Sequence, residues 1–274
     1  MSRSAAAIEA RAGDGTAALV GYLPVGFPDV ETSVRAARTL VDAGADVIEL
    51  GLPYSDPGMD GEVIQHAVQT ALDTGTRTAD VLRAVEQVAE TGAAVLVMTY
   101  FNPVHRYGVD RFARDLAAAG GAGLITPDLI PDEAGEWISA AEEHDLDRVF
   151  LVAPSSTDER LAMTARACRG FVYAASTMGV TGARASVDGA AQELVARTRA
   201  ADDRHHVCVG LGVSTGGQAA EIAGYADGVI VGSAFVRALA GAAGDTEAGL
   251  RELHSLAAEI AAGAHSGGTE GEAR

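Results

Sequence analysis

The chain has 274 residues, 48% of them hydrophobic, enough for one large core on the scale of an α/β barrel of about 250 residues. A formal net charge of −18 argues against nucleic acid or an anionic membrane surface as partner, because a polyanion would be repelled over most of the exterior. All 20 basic residues are arginine, which excludes imine-forming aldolase chemistry and covalently attached pyridoxal phosphate, since both need a lysine amine.

The opening stretch MSRSAAAIEARAGDG lacks the sustained apolar core of a signal peptide, and no run of about 18 apolar residues occurs, so the expectation is a cytoplasmic protein. Eight short β-rich segments then follow, at 17–23, 46–51, 93–100, 122–128, 148–154, 171–176, 206–212 and 228–233. After the first comes DVETSVRAARTLVDAG, where Val30, Val34, Ala37 and Val41 share one helical face and Gly44 suits the C-terminal cap. After the second, EVIQHAVQTAL and TADVLRAVEQVAE read as two helices separated by DTGT, one more than a strand-to-strand crossover needs. After the fifth, Ser156 and Glu159 have capping-box spacing and Leu161, Ala165 and Cys168 follow on one face. Cys168 and Cys208 have no CxxC or metal-ligand spacing and read as buried thiols. The polar, Gly-rich tail 265–274 reads as disordered, leaving 1–264 as a single domain. Eight alternations of strand and helix imply parallel strands with right-handed crossovers. The fold expected is an α/β (β/α)8 TIM barrel with extra helices, with an open doubly wound sheet as the alternative.

Within that frame the segment IELGLPYSDPGMDG places Glu49 between apolar neighbours near a strand end. Facing the helix layer would bury its charge against hydrocarbon. The tolerable position is inside, near the C-terminal mouth where barrel active sites lie; the alternative is a carboxylate neutralised by an arginine or by backbone N–H groups. Asp60, at the end of the following loop, taken alone suits a helix N-cap or an Asx turn. Paired with Glu49, it allows two carboxylates of different pKa to flank one substrate. Tyr22, Tyr100, Phe101 and Tyr173 lie near the ends of strands one, three and six, where they could wall an apolar pocket. Glycine-bearing turns at 179–182, 210–214 and 231–234, with a short helix starting at Ser233, supply backbone N–H groups for a phosphate without any cation. The seven histidines show neither HxH nor HExxH spacing, so no catalytic metal is expected.

Taken in order and spacing, IELGLPYSDPGMDG, MTYFNPV, LITPDLIPDE, GVTG and VGSA resemble the tryptophan synthase α subunit family, over roughly residues 17 to 240. The resemblance implies a lyase that cleaves indole-3-glycerol phosphate to indole and glyceraldehyde 3-phosphate by a retro-aldol reaction in tryptophan biosynthesis. It implies that Glu49 is the general acid/base and that Asp60 contacts the indole nitrogen. Tyr173, Thr181, Gly182, Leu211, Gly212, Gly232 and Ser233 would line the phosphate end, and Tyr22 and Tyr100 the indole end. It implies no cofactor in this chain, pyridoxal phosphate in a β-subunit partner, an α2β2 heterotetramer, and docking through the loop with Pro53 and Asp56. Two departures stand out: Glu62 occupies a position where the family often has proline, and Thr177 one where arginine is common. Glu62 either raises the pKa of Asp60 or simply occupies a helix first turn, where an acid is favourable; the latter is the reading adopted. The alternatives are a free-standing indole-releasing lyase, another phosphate-binding barrel enzyme, and a barrel kept only as a non-catalytic regulatory subunit, which intact Glu49 and Asp60 argue against.

Overall fold

The computed structural model describes residues 2–12, 16–175, 189–210, 212–241 and 244–266. In chain order these form α1 (Arg3–Ala12), β1 (Ala18–Pro24), α2 (Val30–Asp42), β2 (Val47–Gly51), α3 (Glu62–Asp73), α4 (Thr78–Ala89), β3 (Ala94–Met98), α5 (Phe101–Tyr107), α6 (Val109–Ala118) and β4 (Gly123–Thr126). A 3-10 turn (Pro131–Glu133) leads to α7 (Gly135–Glu143), β5 (Asp147–Val152), α8 (Asp158–Ala167), β6 (Phe171–Ala175), α9 (Gly189–Ala201), β7 (His206–Gly210), α10 (Gly216–Ala223), β8 (Gly228–Val231), α11 (Ser233–Ala240) and α12 (Thr246–Ala264). Each strand pairs in parallel with the next, and β8 returns to β1 with Val20 opposite Ile230, so the sheet is a closed barrel and not an open one. The second unit carries the two helices its length required, and the third and eighth units also contain two each.

Local chemistry sets the helix boundaries. Asp29 caps α2 by accepting from the Thr32 amide at 2.8 Å, and Gly44, at φ +105°, supplies the left-handed turn that ends it. Its buried face is rotated slightly from the expected one: Val34 and Ala37 are buried with Ala36 and Leu40, while Val30 and Val41 are only half-buried. The cap of α8 is Thr157, not Ser156. Thr157 accepts from the Arg160 amide at 3.3 Å, while Ser156 is drawn back to the strand end and accepts from the Ala153 amide at 3.2 Å. Both cysteines are free and buried.

Alternation along the strands divides the hydrophobic residues into two layers. Outward residues such as Leu19, Ile48, Val95 and Phe150 pack beneath the helices. Inward residues such as Val20, Val47, Leu96, Ile125, Val149, Phe171, Cys208 and Ile230 fill the barrel. Ile8 of α1 joins that inner cluster, fully buried, and so stoppers the N-terminal end. α1 is held there by polar ties: Ser4 and Ser2 hydroxyls donate to Asp147 Oδ2 at 2.6 and 2.8 Å, and Arg11 pairs with Asp46 at 2.7 Å. His265, the C-cap of α12, lies 2.8 Å from the same Asp46 and fastens the last helix to that end. Among the described residues the N-terminal end of the barrel is therefore closed, and the cavity lies toward the C-terminal mouth. No helix among the described residues is long and apolar enough to cross a membrane.

Candidate active site

Glu49 is an inward residue of β2, opposite Tyr22 on β1 and Leu96 on β3. It is 0% exposed, and neither carboxylate oxygen has a hydrogen-bond partner among the described residues. Among the described residues, the arginine or backbone donors that would mark a structural carboxylate are missing there. Burial alone pushes its pKa up to about 8, so at neutral pH the group is mostly protonated. An ionisable side chain left in that state, facing a cavity, is poised to donate a proton.

That cavity encloses about 1100 Å³ including its mouth. Its walls come from strand ends and from the loop after β2, and they include Tyr22, Tyr100, Tyr173, Gly212, Gly232 and Ser233, all anticipated from the sequence. Phe101 does not line it. As the first residue of α5 it gives its amide to Asp128 at 2.9 Å, and its ring lies 6.4 Å from that of His105.

Asp60 stands on the rim. Its carboxylate accepts from the Tyr100 hydroxyl at 3.2 Å, and the same hydroxyl accepts from the Met59 amide at 2.8 Å, so one phenol pins the loop to the end of β3. Asp60 is not an N-cap: Gly61 holds that position on α3, and Asp60 contributes its carbonyl to the Gln65 side chain at 2.7 Å. Burial raises the Asp60 pKa and the Tyr100 bond works against the rise; Glu62, exposed in the first turn of α3, is not among the causes.

At the opposite end Gly232 caps α11 and Ser233 begins it, so the positive end of a helix points into the cavity beside Gly212. No basic side chain is among the described lining residues. Thr177, Thr181, Gly182 and Leu211 lie outside the described residues. Pro53 and Asp56 do not reach the cavity: Pro53 is buried in the loop, and Asp56 is exposed, accepting from Ser55 Oγ at 2.6 Å.

Sequence reasoning missed several walls. Tyr54 packs against Tyr100 with ring centroids 5.4 Å apart, and Met59, Met98 and Leu151 complete the apolar side. The inward phase of β3 and β5 carried the signal for Met98 and Leu151, since each is two residues beyond an inward residue. Asp110, Glu143 and His144 come within 4.8 Å of one another on the surface, and none of them lines the cavity.

A closed parallel barrel with an apolar cavity at its C-terminal mouth, two carboxylates at one side and a helix N-terminus at the other is the arrangement of a (β/α)8 barrel enzyme. Comparison with known proteins narrows this. The profile of the family described as tryptophan synthase alpha chain matches residues 8–265. The tryptophan synthase alpha chain of Mycobacterium intracellulare is 62% identical over 250 residues, covering 91% of this chain and 90% of that one. That of Mycobacterium marinum is 64% identical over 247 residues, covering 90% and 89%. A solved structure of Mycobacterium tuberculosis tryptophan synthase superposes with a TM-score of 0.91 at 59% identity, over 97% of this chain and 99% of that one. The alpha chain of Legionella pneumophila superposes at 0.88 with 30% identity, over 98% and 100%. The chain belongs to the tryptophan synthase alpha chain family, a family of tryptophan biosynthesis enzymes.

Proposed function

We propose that this chain cleaves indole-3-glycerol phosphate to indole and glyceraldehyde 3-phosphate, with Glu49 as general acid/base and Asp60 as the group that stabilises the indole nitrogen. The observation that carries the reading is a fully buried, unpartnered Glu49 facing the same cavity as Asp60. The phosphate is held by backbone N–H groups at Gly212, Gly232 and Ser233 and by the end of α11, and the ring lies between Tyr100 and the methionines.

Cleavage of a carbon–carbon bond needs an electron sink, and with no lysine for an imine the indole ring itself can serve. Neutral Glu49 gives its proton to ring carbon C3, which leaves the nitrogen iminium-like with its positive charge facing Asp60. The resulting Glu49 carboxylate takes the proton of the hydroxyl on the carbon attached to C3. The O–H electrons become the carbonyl bond, the C3–carbon bond breaks, and its electron pair restores the aromatic ring. Glu49 ends protonated, as it began.

The proposed partner is a β chain in an α2β2 assembly in the cytoplasm. Pyridoxal phosphate belongs to that partner, because this chain has no lysine to attach it. Docking would use the outer surface of the loop with Asp56, with Pro53 stiffening it from within. The test is purified chain with indole-3-glycerol phosphate, followed by indole release with and without a β chain. Indole is expected weakly from the chain alone and faster with the partner. No indole under either condition would remove the lyase reading, and full turnover alone with no response to the β chain would make it a free-standing lyase.

Tyr100→Phe is expected to lower kcat/KM about tenfold, the magnitude of one hydrogen bond to a charged group. The lost bond is one that lowers the Asp60 pKa, so the acid limb of the pH profile should move to higher pH. A profile measured from pH 5 to 9 that keeps its acid limb in place would detach Tyr100 from Asp60.

A further inference from the structure

The segment after β4 supplies Pro127 to the cavity wall and then Asp128, an exposed aspartate that does not line the cavity. Both oxygens of its carboxylate lie on one donor, the Phe101 amide, at 2.9 and 3.2 Å. That amide is the first of α5, and the residue in the N-cap position is Tyr100, with extended backbone (φ −63°, ψ 153°) and no side-chain cap bond. A helix start is ordinarily capped by the side chain of its own N-cap residue, a Ser, Thr, Asp or Asn. Here that position carries a phenol committed elsewhere: its hydroxyl donates to Asp60 at 3.2 Å and accepts from the Met59 amide at 2.8 Å. Capping falls instead to a residue 27 positions downstream, in the next loop at the mouth.

The backbone on either side of Tyr100 is held by different means. Upstream, the Thr99 amide donates to the Ile125 carbonyl at 3.1 Å and its hydroxyl to the Leu52 carbonyl at 3.3 Å, so that side is tied to two neighbouring strand ends. Downstream, the start of α5 depends on the Asp128 carboxylate. A seven-residue helix whose first amide loses its acceptor frays from that end. Good O–H···O bonds reach to about 3.0 Å, so the Tyr100–Asp60 bond has little distance to spare. A small shift of the Tyr100 backbone would break it.

We infer that Asp128 is a positioning residue for Asp60: by holding the start of α5 it keeps the Tyr100 hydroxyl within reach of Asp60 and Met59, and so keeps the Asp60 loop at the cavity rim. Asp128 itself touches no ligand. This rests on the lyase reading above for what Asp60 does there. An ordinary helix cap would contribute to stability alone, and the two roles separate by experiment.

The test uses Asp128→Ala and Asp128→Asn, each alone and combined with Tyr100→Phe, with kcat/KM for indole-3-glycerol phosphate followed from pH 5 to 9. Asp128→Ala is expected to lower kcat/KM about three- to tenfold, the ceiling being loss of the whole Tyr100 bond. The acid limb should move to higher pH, because that bond lowers the Asp60 pKa against the effect of burial. Glu49, Tyr22, Tyr54 and Tyr173, the other titratable groups lining the cavity, are untouched in every variant. Asp128→Asn keeps an acceptor oxygen for the Phe101 amide and should stay within about twofold of wild type, since Asn and Asp are equivalent caps. With Tyr100→Phe already present, Asp128→Ala should cost less than about a further twofold, because both substitutions act through one bond. Three outcomes would each overturn the inference: losses that multiply in the double variant, a lower urea midpoint with kcat/KM and acid limb unchanged, or a loss in Asp128→Asn equal to that in Asp128→Ala. If wild type forms no indole, the lyase reading fails separately, and the Asp60 titration is followed in the same variants by carboxyl-carbon NMR. A midpoint that Asp128→Ala leaves in place overturns the inference without any turnover.

Discussion

Glu49→Gln is expected to reduce indole formation by about 10² to 10⁴, the range for removing a positioned general acid/base, with the circular dichroism spectrum unchanged. Glutamine fills the same space and has no proton to relay, so the loss reports chemistry and not packing. Because the neutral acid acts first, kcat/KM in the wild-type protein should fall as pH rises through about 8, where Glu49 ionises. That alkaline limb should be missing from whatever activity the variant retains. Turnover unchanged by the substitution would take Glu49 out of the mechanism.

The same residue makes a stability statement. Unfolded, Glu49 ionises near 4.5, whereas folded it holds its proton to about 8. Between those values the native state binds the extra proton, so stability is full below about 4.5 and declines as pH rises toward about 8, by an amount on the order of a few kcal/mol. Glu49→Gln removes that dependence. The difference in urea midpoint between variant and wild type should therefore widen in favour of the variant from pH 5 to pH 8.

Much of this was legible in the residues because burial leaves a pattern. Eight apolar segments spaced by amphipathic stretches allow few architectures, and a glutamate inside one of them has only the barrel interior in which to face a cavity. Glu49 stood out because its neighbours, Ile48 and Leu50, are outward hydrocarbons. Asp60 was harder, since an aspartate before a helix is usually a cap. Only the fold shows that Gly61 takes that position while Tyr100, 40 residues away in sequence, claims the carboxylate. Phe101 and Tyr100 look alike as adjacent aromatics, yet one turns into a helix first turn and the other into the cavity. Capping decided that outcome, because Asp128, from the next strand end, takes the Phe101 amide. Ser156 and Thr157 differ in the same way, through a turn bond to Ala153 that no helix pattern encodes. Tyr54 and Met59 come from an irregular loop with no period to read, and the alternation of β3 and β5 was the only trace of Met98 and Leu151.

Asp60→Asn is expected to lower kcat by about 10² to 10³, the magnitude for losing one preorganised electrostatic group, while affinity for 3-(indol-3-yl)propyl phosphate changes little. The substitution is selective because the surroundings of Asp60 survive it. An asparagine oxygen still accepts from Tyr100, and the Met59 amide keeps its bond to the same hydroxyl, so the loop stays in place and only the charge is lost. What disappears is the negative charge opposite a nitrogen that becomes positive only after C3 is protonated, so the cost falls on the transition state and not on binding. Burial raises both acids, but Tyr100 restrains the rise at Asp60 while nothing among the described residues restrains it at Glu49. The proposed reaction needs a pH window in which Asp60 is ionised and Glu49 is neutral. Wild type should show a bell-shaped profile across it, with Asp60→Asn losing the acid limb as Glu49→Gln loses the alkaline one. An Asp60→Asn variant that keeps both its rate and its acid limb would assign the indole nitrogen to some other group.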